Sequence, residues 1–426
     1  MIITHVCRHW RQITLECSSL WTFIDCLSAP WVPIMLERSK EAALVVIYSA
    51  PSVPEYWPLA QLLSQLPRIK VLELCTFSVV VDRILDCLSS QLAPLLQIFE
   101  YRVLWSHDSR ISIRPISDTI FQGRTPLLRS VELEECAFIL TSRAFGGLQT
   151  LNLGQINPSP HLTLSQLLSA LRCMPDLELL TLRLPSRISE DTELFDQILL
   201  TRLGRIGLDG AIRTAVSLFS HLVLPAHARI ALYLIEIESP QSFSDLFSAI
   251  HKDPDGSFPI IRSLRVISRD TFCVQFSMSS ANIRDSDIPL SFQFEYACNP
   301  AIIFDMCRMV PHSKIQNLSI STSLDLLQNF WHAGFAHLPE LESIYLNRTS
   351  IAGFILALMT VGVSIAYPLL RTLELVRIDI GCDRPSGDCQ NASRRWSWHT
   401  KTQIDGLQEC NVQLLERVIV DVDWDH

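Results

Sequence analysis

Charge is scarce in this chain, and basic charge scarcer still. Only 19% of its 426 residues are Asp, Glu, Lys or Arg, against roughly 25% in an average soluble domain. Thirty-five basic residues stand against 44 acidic ones, a formal net charge of −9. That balance argues against nucleic acid as a partner, because the phosphate backbone demands a basic surface. Paired cysteines are also missing: the 13 cysteines are an odd number, and no two have C-x-x-C spacing. A disulfide framework or zinc ribbon is therefore not expected, and a reduced setting, cytoplasmic or nuclear, is. The opening MIITHVCRHW has no long apolar stretch of the secretory-signal kind.

Catalytic signatures are equally sparse. No G-x-S-x-G elbow and no H-E-x-x-H helix occurs. Gly204, Gly207 and Gly210 are not followed by the lysine and Ser/Thr of a phosphate loop. His5, Cys7 and His9 alternate, but residues two apart on a helix do not face each other. Cys382, Cys389, His399 and Cys410 match no common zinc spacing. Asp421, Asp423 and Asp425 lack the glycine turn and distal glutamate of a calcium loop. The expectation is a protein with no catalytic residues, no cofactor and no metal.

What the chain does have is apolar residues, 48% of the total, enough for a sizeable core. One apolar segment, Ile351 to Tyr367, is seventeen residues without a charge. A bilayer span needs about 20, and Gly353, Thr360, Gly362 and Ser364 dilute this one. It reads as a buried helix, and no membrane partner is expected.

A short pattern recurs: apolar, two positions, apolar, one position, apolar. It occurs as IKVLEL from Ile69, LQIFEY from Leu96, LRSVEL from Leu128, LQTLNL from Leu148, LELLTL from Leu177 and LGRIGL from Leu203. It returns as IRSLRV from Ile261, IQNLSI from Ile315, LESIYL from Leu341, LRTLEL from Leu370 and LERVIV from Leu415, with degraded copies from Arg229 and Pro289. Proline gives an independent check. It stands two residues before the first apolar position in seven of these thirteen copies: Pro67, Pro94, Pro126, Pro175, Pro259, Pro339 and Pro368. Proline ends a helix and enters an extended segment without an N–H to satisfy.

Between copies lie amphipathic stretches such as LAQLLSQL from Leu59, DRILDCLSSQL from Asp82, SQLLSALRCM from Ser165 and AIIFDMCRMV from Ala301. From Ile69 to Leu370 the mean interval is about 27 residues, within the 20–29 of leucine-rich repeats. The chain thus resembles the leucine-rich-repeat family from about residue 51 to 426. The expected fold class is α/β, an irregular leucine-rich-repeat solenoid with a parallel sheet and helices on its convex side. Spacing varies from 20 to 45 residues, and the asparagine or cysteine that the family places eight residues after the first apolar position occurs once, as Cys136. The longest interval contains GCDRPSGDCQNASRRWSWHTK from Gly381, expected as an exposed loop over about 381–411. Its Arg394, Arg395, Trp396 and Trp398 form a basic aromatic cluster of the kind favoured in interfaces, a candidate target-binding loop.

The first twenty-five residues carry the most specific signal. Val6, Trp10, Ile13 and Cys17 fall on one helical face, with Arg8, Arg11 and Gln12 opposite. Ser18 and Ser19 can break that helix, and Leu20, Trp21 and Ile24 begin a second buried turn. The order V-C-R-H-W-R-Q-I, then S-L-W-T-F-I, is similar to the second half of an F-box, whose pattern is V-C-R-x-W-R and then P-x-L-W. Trp31 to Val46 resembles the segment that follows it in a group of fungal F-box proteins with repeat-like tails. The leucine–proline half that docks on the Skp adaptor would lie ahead of Met1. Residues 1–50 are accordingly expected as a short all-α partial F-box and linker.

The resemblance implies the substrate-recognition subunit of a Skp–cullin–F-box E3 ubiquitin ligase. Val6, Arg8, Trp10, Arg11, Gln12, Leu20 and Trp21 would serve the adaptor side, and the repeat surface would hold an unknown target protein. Skp adaptor and cullin scaffold are the partners it implies. The alternative is a leucine-rich-repeat interaction scaffold with no ligase activity, the F-box remnant serving only as a cap.

Overall fold

Four copies of the repeated pattern enter their strand through the same turn. In Ala93-Pro94-Leu95-Leu96, Thr125-Pro126-Leu127-Leu128, Met174-Pro175-Asp176-Leu177 and Leu338-Pro339-Glu340-Leu341, the fourth residue's N–H donates to the first residue's carbonyl at 3.1–3.3 Å. Proline occupies the second turn position, where its fixed φ and missing N–H cost nothing. Besides ending the preceding segment, it aims the chain into the sheet. The first and fourth residues of each turn are buried, while Leu95, Leu127 and Glu340 at the third position face water or lie at its edge. Two residues after the buried leucine, the strand begins.

The computed structural model describes residues 7–25, 30–49, 56–104, 115–136, 145–154, 163–184, 196–225, 227–235, 241–250, 262–268, 272–277, 290–294, 314–322, 331, 335, 338–348, 354, 369–376 and 417–421. These form a mixed α/β protein with two compact units, Met1–Ala228 and Arg229–His426.

In the first unit, strands β1 (Phe23–Asp25), β2 (Leu44–Ser49), β3 (Ile69–Phe77), β4 (Ile98–Leu104), β5 (Ser130–Glu134), β6 (Thr150–Gly154) and β7 (Leu179–Arg183) lie side by side in chain order, all parallel. The short β8 (Ile198–Leu199) leaves this sheet, and β9 (Arg205–Ala211) pairs with β7. β8 pairs instead with β10 (Leu222–Val223). The strands led by Leu128 and Leu148 are direct neighbours, as the pattern predicts.

Register follows the pattern position by position. Val131, Leu151, Leu180 and Ile206 are paired across four strands, and all are buried. Fully burying one such side chain is worth about 1.5–3 kcal/mol. The residues that follow them, Glu132, Asn152, Thr181 and Gly207, face the other way, and none of these is buried.

Parallel neighbours need a crossover of a dozen or more residues, and helices supply many of these. They are α2 (Val32–Ser39), α3 (Tyr56–Leu63), α4 (Val81–Ser90), α5 (Leu164–Arg172) and α6 (Ile212–His221), while α1 (Arg8–Glu16) precedes the first strand. Val81, Ile84, Leu85 and Leu88 make the buried stripe of α4. In α5 the stripe is Leu164, Leu167, Leu168 and Leu171, and a reciprocal capping box of Thr163 and Gln166 starts the helix.

The second unit holds α7 (Gln241–Ile250) and strands β11 (Arg229–Ile235), β12 (Ser263–Ser268), β13 (Phe272–Ser277), β14 (Leu290–Phe294), β15 (Asn317–Thr322), β16 (Ser343–Asn347), β17 (Thr372–Val376) and β18 (Arg417–Asp421). Their order is β11-β14-β13-β12-β15-β16-β17-β18. Here the expected all-parallel sheet is corrected: β13 runs antiparallel to both β12 and β14. Three residues separate Ser268 from Phe272, too few for any crossover, so β12 and β13 can only form a hairpin.

One further expectation changes. The first fifty residues are not all-helical, because β1 and β2 belong to the same sheet as β3. The alternation in LVVIYS, buried at every second residue, is a strand period. Trp331 is a core residue, its ring 4.6 Å from Phe354 and 5.7 Å from Phe335. Phe354 is the only described residue of the Ile351–Tyr367 run, and it is helical and buried. Among the described residues no helix is long and apolar enough to cross a membrane.

Candidate functional site

Two surfaces of the first unit hold the residues of interest. The first is the amino-terminal helix. Cys7 caps α1, its Sγ accepting from the Trp10 N–H at 3.5 Å. Thr14 is the single buried residue of α1. Its Oγ1 donates to the Trp10 carbonyl at 2.7 Å, and its own carbonyl accepts the Trp21 indole N–H at 2.8 Å. The Trp21 ring is 2% exposed, with the Arg38 guanidinium 4.4 Å above its centroid.

Arg68 anchors the layer beneath. It donates to the Leu36 and Ala42 carbonyls, to Ser39 Oγ and to Gln65 Oε1, between 3.0 and 3.3 Å. The bond to Leu36 serves a carbonyl in the last turn of α2, where helical partners run out. Burial pulls the Arg68 pKa below its usual value, opposed by the nearby Glu41.

The expected buried face of α1 is corrected. Trp10 is 54% exposed and Ile13 46%, so helix spacing placed them together but the sheet does not cover them. Leu20, expected in a buried turn, is exposed as well. Residues 18–21 form a 3-10 helix, whose three-residue turn sends Trp21 inward and its neighbours out. Arg8, Arg11 and Gln12 are exposed, Gln12 donating to Glu16 at 3.2 Å. Phe23 and Trp31, which the sequence reading did not single out, are also exposed aromatics. Val6, Arg394, Arg395, Trp396 and Trp398 lie outside the described residues, as do Cys382, Cys389, His399 and Cys410.

The second surface is the open face of the sheet. Along its middle row Glu73 pairs with Glu100 and Glu100 with Glu132, three carboxylates at one position of β3, β4 and β5. Partial burial holds the Glu100 carboxyl above the ordinary range; Glu73 and Glu132 push the same way and Arg102 opposes them. Beyond them Arg102 pairs with Glu134, and Arg183 with Asp209 at 2.9 Å. Ile47, Glu73, Glu100, Arg102, Glu132 and Glu134 line a shallow cleft of about 230 Å³. The signal was in the pattern: IKVLEL, LQIFEY and LRSVEL each carry glutamate at the fifth position.

Cys136, in the family's asparagine-or-cysteine position, is buried; its thiol donates to the Glu134 carbonyl at 3.1 Å and the Tyr101 carbonyl at 3.4 Å. It links the end of β5 back to β4 and is not presented to any ligand. Among the described residues no three or more His, Cys, Asp or Glu side chains are arranged to hold a metal ion. No protein-family model and no curated protein matches the chain.

Proposed function

We propose that this protein is the substrate-recognition subunit of a Skp–cullin–F-box E3 ubiquitin ligase, each unit being a stretch of an irregular leucine-rich-repeat solenoid. The observation that carries the reading is the split within the F-box-like residues. Trp21 is locked into the unit by its bond to Thr14, while Trp10, Ile13 and Leu20 leave apolar surface uncovered. Half-exposed apolar side chains close together in sequence fit a helix that docks on another protein. The turn–strand repetition and its in-register leucines support the solenoid half of the proposal. Such a subunit performs no bond chemistry. It holds target and ligase together, so that transfer proceeds at high effective concentration.

Co-purification with a Skp adaptor and cullin is the test. Capture should be strong once the leucine–proline half of an F-box is supplied ahead of Met1, and should fall again with Trp10→Ala. No capture even with that half supplied overturns the ligase reading and leaves the interaction scaffold.

A further inference from the structure

Like charges directly opposite one another on neighbouring strands destabilise a sheet, yet Glu73, Glu100 and Glu132 stand in register on three successive strands. With strands about 4.8 Å apart, the row places three carboxylates within a run of about 10 Å. This face neutralises charge elsewhere, through Arg102–Glu134 and Arg183–Asp209. None of the three glutamates has an ion pair among the described residues.

The row also has an apolar border. Val45, Val71 and Ile98 are paired in register on the same face of β2, β3 and β4, Val71 and Ile98 two residues before Glu73 and Glu100, and all three are only half-buried. The two rows together make a strip that is apolar along one side and anionic along the other. No group of side chains here is arranged for a metal ion, and phosphate-bearing partners are repelled by its sign. A polypeptide carrying both apolar and cationic side chains matches it on both counts.

From this charge complementarity we infer that the open sheet face of the first unit docks a lysine- or arginine-bearing polypeptide segment. Its basic side chains meet Glu73, Glu100 and Glu132, and its apolar ones cover Val45, Val71 and Ile98. The inference rests on the substrate-recognition reading and names the chemistry of the substrate.

The test uses the full chain and two labelled peptides, one alternating lysine with valine, the other glutamate with valine, followed by fluorescence anisotropy. The lysine peptide should bind, more weakly as salt rises, and the glutamate peptide should not. The combined variant Glu73→Gln, Glu100→Gln, Glu132→Gln should weaken binding by about tenfold or more. Its thermal midpoint should equal or exceed that of the parent, since repulsion is removed, so weaker binding is not misfolding. Equal binding by the variant, equal binding of both peptides, or no binding of the lysine peptide overturns the inference. Adaptor capture by the same variant should be unchanged. Failure of the unsubstituted protein to capture the adaptor even with the leucine–proline half supplied, while it still binds the lysine peptide, counts against the ligase reading alone.

Discussion

The indole N–H of Trp21 donates to the Thr14 carbonyl at 2.8 Å, and this bond ties the amino-terminal helix to the sheet unit. Trp10, only eleven residues away, takes no part in the core. The two tryptophans of the F-box-like segment therefore separate into one that holds the fold and one that faces out.

Substitution should separate them. Trp21→Ala should cost about 3–5 kcal/mol in urea unfolding, the range for a large buried ring. Trp21→Phe should lose less, about 1–3 kcal/mol, by leaving the Thr14 carbonyl without its donor. Trp10→Ala should shift stability by no more than about 0.5 kcal/mol, as for an ordinary surface change. Equal losses at both positions would show that Trp10 is buried in solution.

Arg68 offers a second handle. Its guanidinium serves Leu36, Ser39, Ala42 and Gln65 together, a fork that lysine cannot reproduce. Arg68→Leu should destabilise the protein by about 1.5–3 kcal/mol, and Arg68→Lys should recover only part of the loss. Full recovery by lysine would mean that charge near Glu41, and not the set of hydrogen bonds, is what matters.

Much of the sheet was legible in the sequence because a parallel sheet repeats its demands. Each strand needs a buried residue before it and two inward residues on it, and the thirteen copies record that requirement. The hairpin of β12 and β13 was not legible: SLRVIS and FCVQFS have strand composition, but only their three-residue separation fixes the direction. The helix of Arg8–Glu16 was read correctly as a helix and incorrectly as a buried one. Periodicity aligns Trp10 with Ile13, but it does not say whether anything packs against them. The glutamate row went unread because each glutamate is an ordinary surface residue in its own copy. Only pairing between copies makes three of them one feature.

Thiol chemistry gives a third prediction. Burial pushes the Cys136 pKa well above its usual value, although its bond to the Glu134 carbonyl opposes the shift. A buried thiol of this kind is inert while the protein is folded. Cys7 and Cys173 are exposed. A disulfide reagent should therefore label Cys7 and Cys173 in the native protein within minutes and Cys136 only on denaturation, as read by peptide mass spectrometry. Fast native labelling of Cys136 would contradict its buried place beside β4.

The glutamate row predicts an acid dependence with a definite sign. Glu100 has its folded pKa raised, first by partial burial and then by Glu73 and Glu132, with Arg102 acting against them. The folded state thus binds this proton more tightly than the unfolded chain does. The ionised side chain costs stability at neutral pH, and the cost fades as pH falls through the folded pKa toward the unfolded value of about 4.3. Glu100→Gln removes that cost outright. The variant should be more stable than the parent at pH 7, by up to about 1 kcal/mol for a like-charge cross-strand contact. The difference should narrow steadily as pH falls from neutral through the raised folded pKa toward the unfolded value, where the parent's own carboxyl becomes protonated. Urea titrations of both proteins across that window provide the comparison. A difference that stays constant, or that widens on acidification, would show that repulsion along Glu73, Glu100 and Glu132 is not what the substitution relieves.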